Sequence, residues 1–238
     1  MESADNIALR KPVGPGLSRL KQVRVRDTIT FDETIAELIL KEVKIMRTVI
    51  YFVRHAESPY IEGMERTRGL SNKGKEDALK IKSILNDEDI DIFISSPYER
   101  AIQTIKDSAG TKKIVIFEDL REREIGLIKE MNFREAKLKV YKDIYYSFPD
   151  GESNVSAQGR AIKTIMKILN EYRGKKIVIG THGDIMTLIL NYFNNQFEFE
   201  FWESTSMPDI YKLEFKDQKL IEVKRLWFDQ LEEGNGTC

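Results

Sequence analysis

Thr48-Val49-Ile50-Tyr51-Phe52-Val53-Arg54-His55 carries six β-branched or aromatic residues in succession and ends on a cation and an imidazole. A run this short, apolar throughout and without polar alternation, reads as a strand buried on both faces. Lys176-Ile177-Val178-Ile179-Gly180-Thr181, followed by His182-Gly183, repeats the pattern. Between them lie two weaker strand signals. Ile90–Ile94 runs into Ser95-Ser96-Pro97, and Lys113–Phe117 runs into Glu118-Asp119-Leu120-Arg121-Glu122. Helical spacing fills the intervals at Ser71–Leu85, Pro97–Ala109, Glu130–Tyr146, Val155–Tyr172 and Asp184–Phe193, with Pro97 expected in its helix's first turn. Asp209–Phe215 and Leu220–Leu226 read as a closing hairpin. Strands alternating with helices predict an α/β fold with a mostly parallel central sheet covered on both faces.

Such a sheet gathers its chemistry where the strands end at their carboxyl side. Both histidines of the chain, His55 and His182, fall there. Arg54 adjoins the first, and Arg100 stands at the start of the helix after Ser95-Ser96-Pro97. Two imidazoles and two guanidiniums facing one crevice suit a phosphate dianion, because the guanidinium fork matches its oxygens. A neutral imidazole can also attack phosphorus. A carboxylic acid at the rim would protonate the leaving alcohol. Glu122 is the candidate, with Glu57, Glu118, Asp119 and Glu124 as competitors on composition alone.

The bulk numbers bound the partners. Across 238 residues the net charge is −1, which gives no general field for nucleic acid or an acidic membrane. The one cysteine, Cys238, and the two histidines exclude a disulfide framework, a cysteine-built zinc site and any three-histidine site. No apolar stretch approaches a membrane span and no secretory leader is read, so the expectation is a cytoplasmic protein without a membrane partner. Residues 1–46 differ from the rest. Six cations between Arg10 and Arg26 surround Pro12, Gly14, Pro15 and Gly16, and Asp32 is placed to cap a helix over 32–45. The expected organisation is an extension over 1–46, one domain over 47–230 and a tail over 231–238.

Six blocks in order resemble the histidine phosphatase superfamily, also called the phosphoglycerate mutase-like family. They are Arg54-His55-Ala56-Glu57-Ser58, Leu70-Ser71-Asn72-Lys73-Gly74, Ser95-Ser96-Pro97-Tyr98-Glu99-Arg100-Ala101-Ile102-Gln103-Thr104, Leu120-Arg121-Glu122-Arg123-Glu124-Ile125-Gly126, Gly151-Glu152-Ser153 and Thr181-His182-Gly183. The resemblance implies a three-layer α/β/α sandwich and a phosphohistidine on His55. It implies a phosphate pocket of Arg54, Arg100 and His182, Glu122 as the acid, and no metal or cofactor. Arg54, Glu57, Thr67, Arg100 and Gly183 are the residues expected to touch a small phosphorylated substrate. Ala56 departs from the family's glycine. The loop Pro59–Gly69 lacks the asparagine and the Phe-Thr-Gly-Trp segment of cofactor-dependent mutases, which favours a phosphatase over a mutase. A non-catalytic phosphate-binding scaffold is the reading from another class. Arg66 and Arg68 are read either as a second anion site or as partners of Glu62 and Glu65. Tyr60, Phe201 and Trp202 are read as rim or core.

Overall fold

In the computed structural model, residues 47–227 are described. The helix expected over 32–45, the rest of 1–46 and the 231–238 tail lie outside them. Six strands form one sheet: β1 (Arg47–Arg54), β2 (Ile92–Ser95), β3 (Ile114–Ile116), β4 (Lys176–Thr181), β5 (Asp209–Lys216) and β6 (Lys219–Arg225). Their order is β3-β2-β4-β1-β5-β6. The first four strands in that order are mutually parallel, and the β5–β6 hairpin joins β1 antiparallel.

Side chains along a strand alternate between faces, and β1 divides its apolar run accordingly. Ile50 and Phe52 pack with α4 (Asn154–Glu171) and α5 (Gly183–Phe193), against Ile165, Ile168 and Ile189. Val49, Tyr51 and Val53 face the opposite layer, where Ile81 and Leu85 of α1 (Asn72–Asn86) and Ile105 of α2 (Glu99–Ala109) lie. The result is the expected three-layer α/β/α sandwich. Fully buried Phe52 fills the interior of one layer; truncating such a residue to alanine typically costs about 3–5 kcal/mol.

Two helices depart from expectation, and a third was not foreseen. Pro97 precedes the N-cap Tyr98, so it stands outside α2. The helix expected over Glu130–Tyr146 shrinks to α3 (Phe133–Lys142). A capping box between Asn132 and Glu135 fixes its start, and Glu130 lies at φ +61°, which an α-helix does not admit. A short helix, α6 (Phe199–Ser204), escaped periodicity because six residues span under two turns.

Sheet register sets the level of the site. Arg54 pairs with Thr181, and Ser95 pairs with Gly180. The segments after β1, β4 and β2 therefore emerge side by side at one edge.

Candidate active site

His55 leaves β1 with its backbone N–H donating to the Thr181 carbonyl at 3.0 Å. The two imidazoles meet edge to face, centroids 5.3 Å apart. Nδ1 of His55 lies 2.8 Å from the Ala56 carbonyl oxygen. A carbonyl only accepts, so Nδ1 carries a proton. Burial, then the Arg100 guanidinium, pushes the imidazole well below its ordinary range. The ring is therefore neutral near pH 7, and Nε2 presents its lone pair. Ala56 itself is buried, is absent from the positive-φ residues, and donates its N–H to the Thr104 hydroxyl at 3.0 Å. Alanine is tolerated there because the backbone makes no demand for glycine. Thr104, in turn donating to the Arg100 carbonyl at 2.7 Å, fastens the loop after His55 to α2.

His182 is fully buried and N-caps α5. Its Nε2 lies 2.6 Å from the Ser96 hydroxyl, which also accepts the Tyr98 N–H at 3.2 Å. With the hydroxyl proton turned to Nε2, the neutral ring holds its own proton on Nδ1. Burial, then Arg100, pushes this imidazole down as well.

The guanidiniums are held by carbonyls. Arg54 Nη1 donates to the Thr205 carbonyl at 2.7 Å and also to its hydroxyl, so α6 ends against the neighbour of His55. Arg100 is buried, donates from Nη1 to the Glu65 carbonyl at 2.6 Å and stacks over Tyr98 at 4.7 Å. Burial lowers both arginines from their usual value, yet guanidinium stays charged at any working pH. Arg54 Nε, Arg100 Nε and His182 Nδ1 are buried donors with no partner among the described residues. Buried donors are rarely left unpaired, and an anion seated among them would satisfy all three. Gly183 lies against Arg54. A Cβ there would come 3.0 Å from the guanidinium carbon, so only glycine lets the two pack unchanged.

Glu122 follows the 3₁₀ turn Glu118–Leu120. Its carboxylate sits over the first turn of α5, accepting N–H groups from Asp184 at 3.2 Å and Ile185 at 3.0 Å. Burial raises its pKa, the Asp184 charge adds to this, and Lys137 with the backbone donors opposes it. The turn beyond it depends on Gly126, at φ +84°, where a Cβ would meet the Pro149 carbonyl at 2.5 Å.

Of the sequence-predicted residues, Arg54, His55, Arg100, His182 and Gly183 converge, and Glu122 lies over the helix that begins at Gly183. Glu57 and Thr67 have no hydrogen bond or ion pair with the histidines or with Arg54 and Arg100 among the described residues. Glu57 accepts the Ser71 hydroxyl at 2.6 Å and the Ser71 N–H at 3.0 Å, which ties the loop after His55 to α1. Thr67 is exposed in a turn, its N–H on the Met64 carbonyl. Arg66 and Arg68 separate. Arg66 forms an exposed two-armed pair with Glu118 at 2.8 Å. Arg68 is largely buried, donates to the Ser58 carbonyl at 2.6 Å and acts electrostatically on both histidines and Arg100. The sequence offered no way to rank these two arginines; Gly69, packed against Gln103 of α2, is the nearest signal of a chain drawn inward at Arg68. Thr205 carried no signal at all. Trp202 packs with Phe199 at 5.6 Å and Phe133 at 6.3 Å, Phe201 with Tyr211 at 5.1 Å, and Tyr60 is 72% exposed.

Two neutral imidazoles among guanidiniums, with a half-hidden carboxyl beside them, define a domain built to handle a phosphate group. The profile of the histidine phosphatase superfamily (branch 1) matches residues 50–227, and the chain belongs to that family. It is similar to phosphoglycerate mutase-like protein 4 of Arabidopsis thaliana, 26% identical over 156 residues, covering 58% of this chain and 67% of that one. Its fold is similar to that of a mycobacterial glucosyl-3-phosphoglycerate phosphatase (TM-score 0.60, 17% identity, 75% of this chain and 97% of that one). It is similar also to that of a phosphoserine phosphatase from Entamoeba histolytica (TM-score 0.62, 20% identity, 73% and 94%). No helix among the described residues is long and apolar enough to cross a membrane.

Proposed function

We propose that the chain is a metal-independent phosphohydrolase that cleaves phosphomonoesters of small metabolites through a phosphohistidine on His55. The observation that carries this reading is the His55 hydrogen bond to the Ala56 carbonyl, which fixes the tautomer and leaves Nε2 free to attack in line. As the N–P bond forms, the P–O bond to the leaving alcohol breaks, and Glu122 gives that oxygen a proton. Arg54, Arg100, Arg68 and His182 hold the equatorial oxygens, which is the main task of a protein in phosphoryl transfer. Water then attacks the phosphohistidine, Glu122 takes its proton, the N–P bond breaks and inorganic phosphate departs. The names of the structural neighbours, phosphatases for glucosyl-3-phosphoglycerate and phosphoserine, support hydrolysis of a small phosphoester.

The signs of the pH dependence follow. Below the lowered His55 pKa the nucleophile is protonated and the rate falls. Above the raised Glu122 pKa the acid is lost and the rate falls again. The test is hydrolysis of p-nitrophenyl phosphate in EDTA by wild type and His55→Ala, with acid-labile phosphate on the protein followed in parallel. Turnover and labelling that both vanish in the variant support the reading. Wild-type turnover lost in EDTA overturns metal independence. Phosphate binding without turnover would instead favour a mutase awaiting a bisphosphate primer, or a scaffold.

A further inference from the structure

Asp184 is a fully buried carboxylate two residues beyond His182, in the first turn of α5. Its Oδ2 accepts from Arg123 Nη2 at 2.9 Å and pairs with Lys137 Nζ, and its Oδ1 lies 3.4 Å from the Tyr141 hydroxyl. The Arg123 side chain is wholly buried and that of Lys137 nearly so. A buried ion cluster is a poor device for stability, since well-packed apolar side chains do as well or better. This one stands where its charge is felt by a reacting group: the Asp184 N–H donates to Glu122 Oε2 at 3.2 Å, so two carboxylates share one helix turn.

Building on the assignment of Glu122 as acid and base, we propose that Lys137, Asp184 and Arg123 are positioning residues. They decide which of the two adjacent carboxylates carries the proton and let Glu122 alternately hold and release it. Two anions this close in a dry setting resist joint ionisation. Burial alone would raise Asp184, but Lys137 and Arg123 override it and keep that carboxylate ionised. The proton therefore falls to Glu122. The cluster then works in both directions on Glu122. The Asp184 charge favours the protonated form needed to release the alcohol, and Lys137 favours the ionised form needed to deprotonate water. The other groups acting on Glu122 are Arg54 from β1, Tyr98 and Arg100 at the start of α2, and Tyr141 from α3. These are unchanged in the variants below.

The test is the pH profile of kcat/KM for glycerol phosphate, whose leaving group needs a proton, in wild type, Asp184→Asn, Lys137→Met and the double variant. The high-pH limb should move down by about one pH unit in Asp184→Asn and up in Lys137→Met. It should return toward wild type when both charges are removed. A merely structural role would lower the rate without moving the limb in opposite directions. If Asp184→Asn does not fold, Lys137→Met alone decides: an upward move supports the inference, and no move overturns it. Glu122→Gln separates the two layers of the argument. A limb that survives in Glu122→Gln overturns the acid assignment. A limb abolished there, yet unmoved by either cluster variant, overturns the inference alone.

Discussion

The candidate site has two sides, built by different means. The side proposed to hold phosphate stands on the ends of β1, β4 and β2, where backbone register alone brings Arg54, His55, Ser95 and His182 to one level. The side proposed to face the leaving group hangs from the segment after the Glu118–Leu120 turn and from α3. It is held by a capping box, a positive-φ glycine and buried charges. The first side is rigid because strands cannot shift by one residue without inverting every side chain. The second is set by electrostatics and loop chemistry, so it can vary without dissolving the sheet. Anion binding and chemistry should therefore depend on the first side, and leaving-group preference on the second.

His55→Ala offers the largest break. It should abolish turnover, a loss on the order of 10⁴-fold or more, while the melting temperature stays within a few degrees. Residual multiple turnover with labelled protein would move the nucleophile elsewhere. Glu122→Gln comes next. Hydrolysis of an alkyl phosphate should fall by roughly 10²–10⁴-fold, and that of p-nitrophenyl phosphate far less; equal losses would remove Glu122 from the leaving-group side. Gly183→Ala probes the seam between strands and pocket. The added methyl meets the Arg54 guanidinium at 3.0 Å, and overpacking of this kind costs about 1–3 kcal/mol. Phosphate affinity, read by calorimetry, should weaken as the Arg54 guanidinium is pushed aside.

A further prediction concerns stability. Both histidines are buried neutral, with pKa values below the ordinary 6.5. An unfolded chain binds their protons first, so stability is fully present above about pH 6.5 and declines as pH falls below it. The decline should approach about 1.4 kcal/mol per pH unit for each histidine. Melting curves between pH 7 and 5 measure it. Inorganic phosphate, which favours charged imidazoles, should flatten the slope; a slope indifferent to phosphate would place the anion away from them.

This division also explains what the sequence made legible. The strand-borne residues were readable because an unbroken apolar run such as Thr48–Val53 announces a buried strand, and its end announces a position. Thr205, Lys137 and Asp184 were not. Each takes its role from a partner far off in the chain: Arg54 for Thr205, Asp184 for Lys137. No local period encodes such a meeting. Glu57, which the sequence places two residues after His55, accepts the Ser71 hydroxyl in the structure.

The order of the strands has a further consequence, for how the protein is made. β4 lies between β1 and β2, yet it is the last of the four parallel strands to be synthesised. A nascent chain ending before Lys176 has its first histidine but no neighbour to seat β1 against β2. Long-range pairing of this kind forms late and all at once. The site should thus be absent from every ribosome-bound fragment that ends before β4, His182 and Thr205 have cleared the exit tunnel. Catalysis would then be a timestamp for the seating of β4 between β1 and β2.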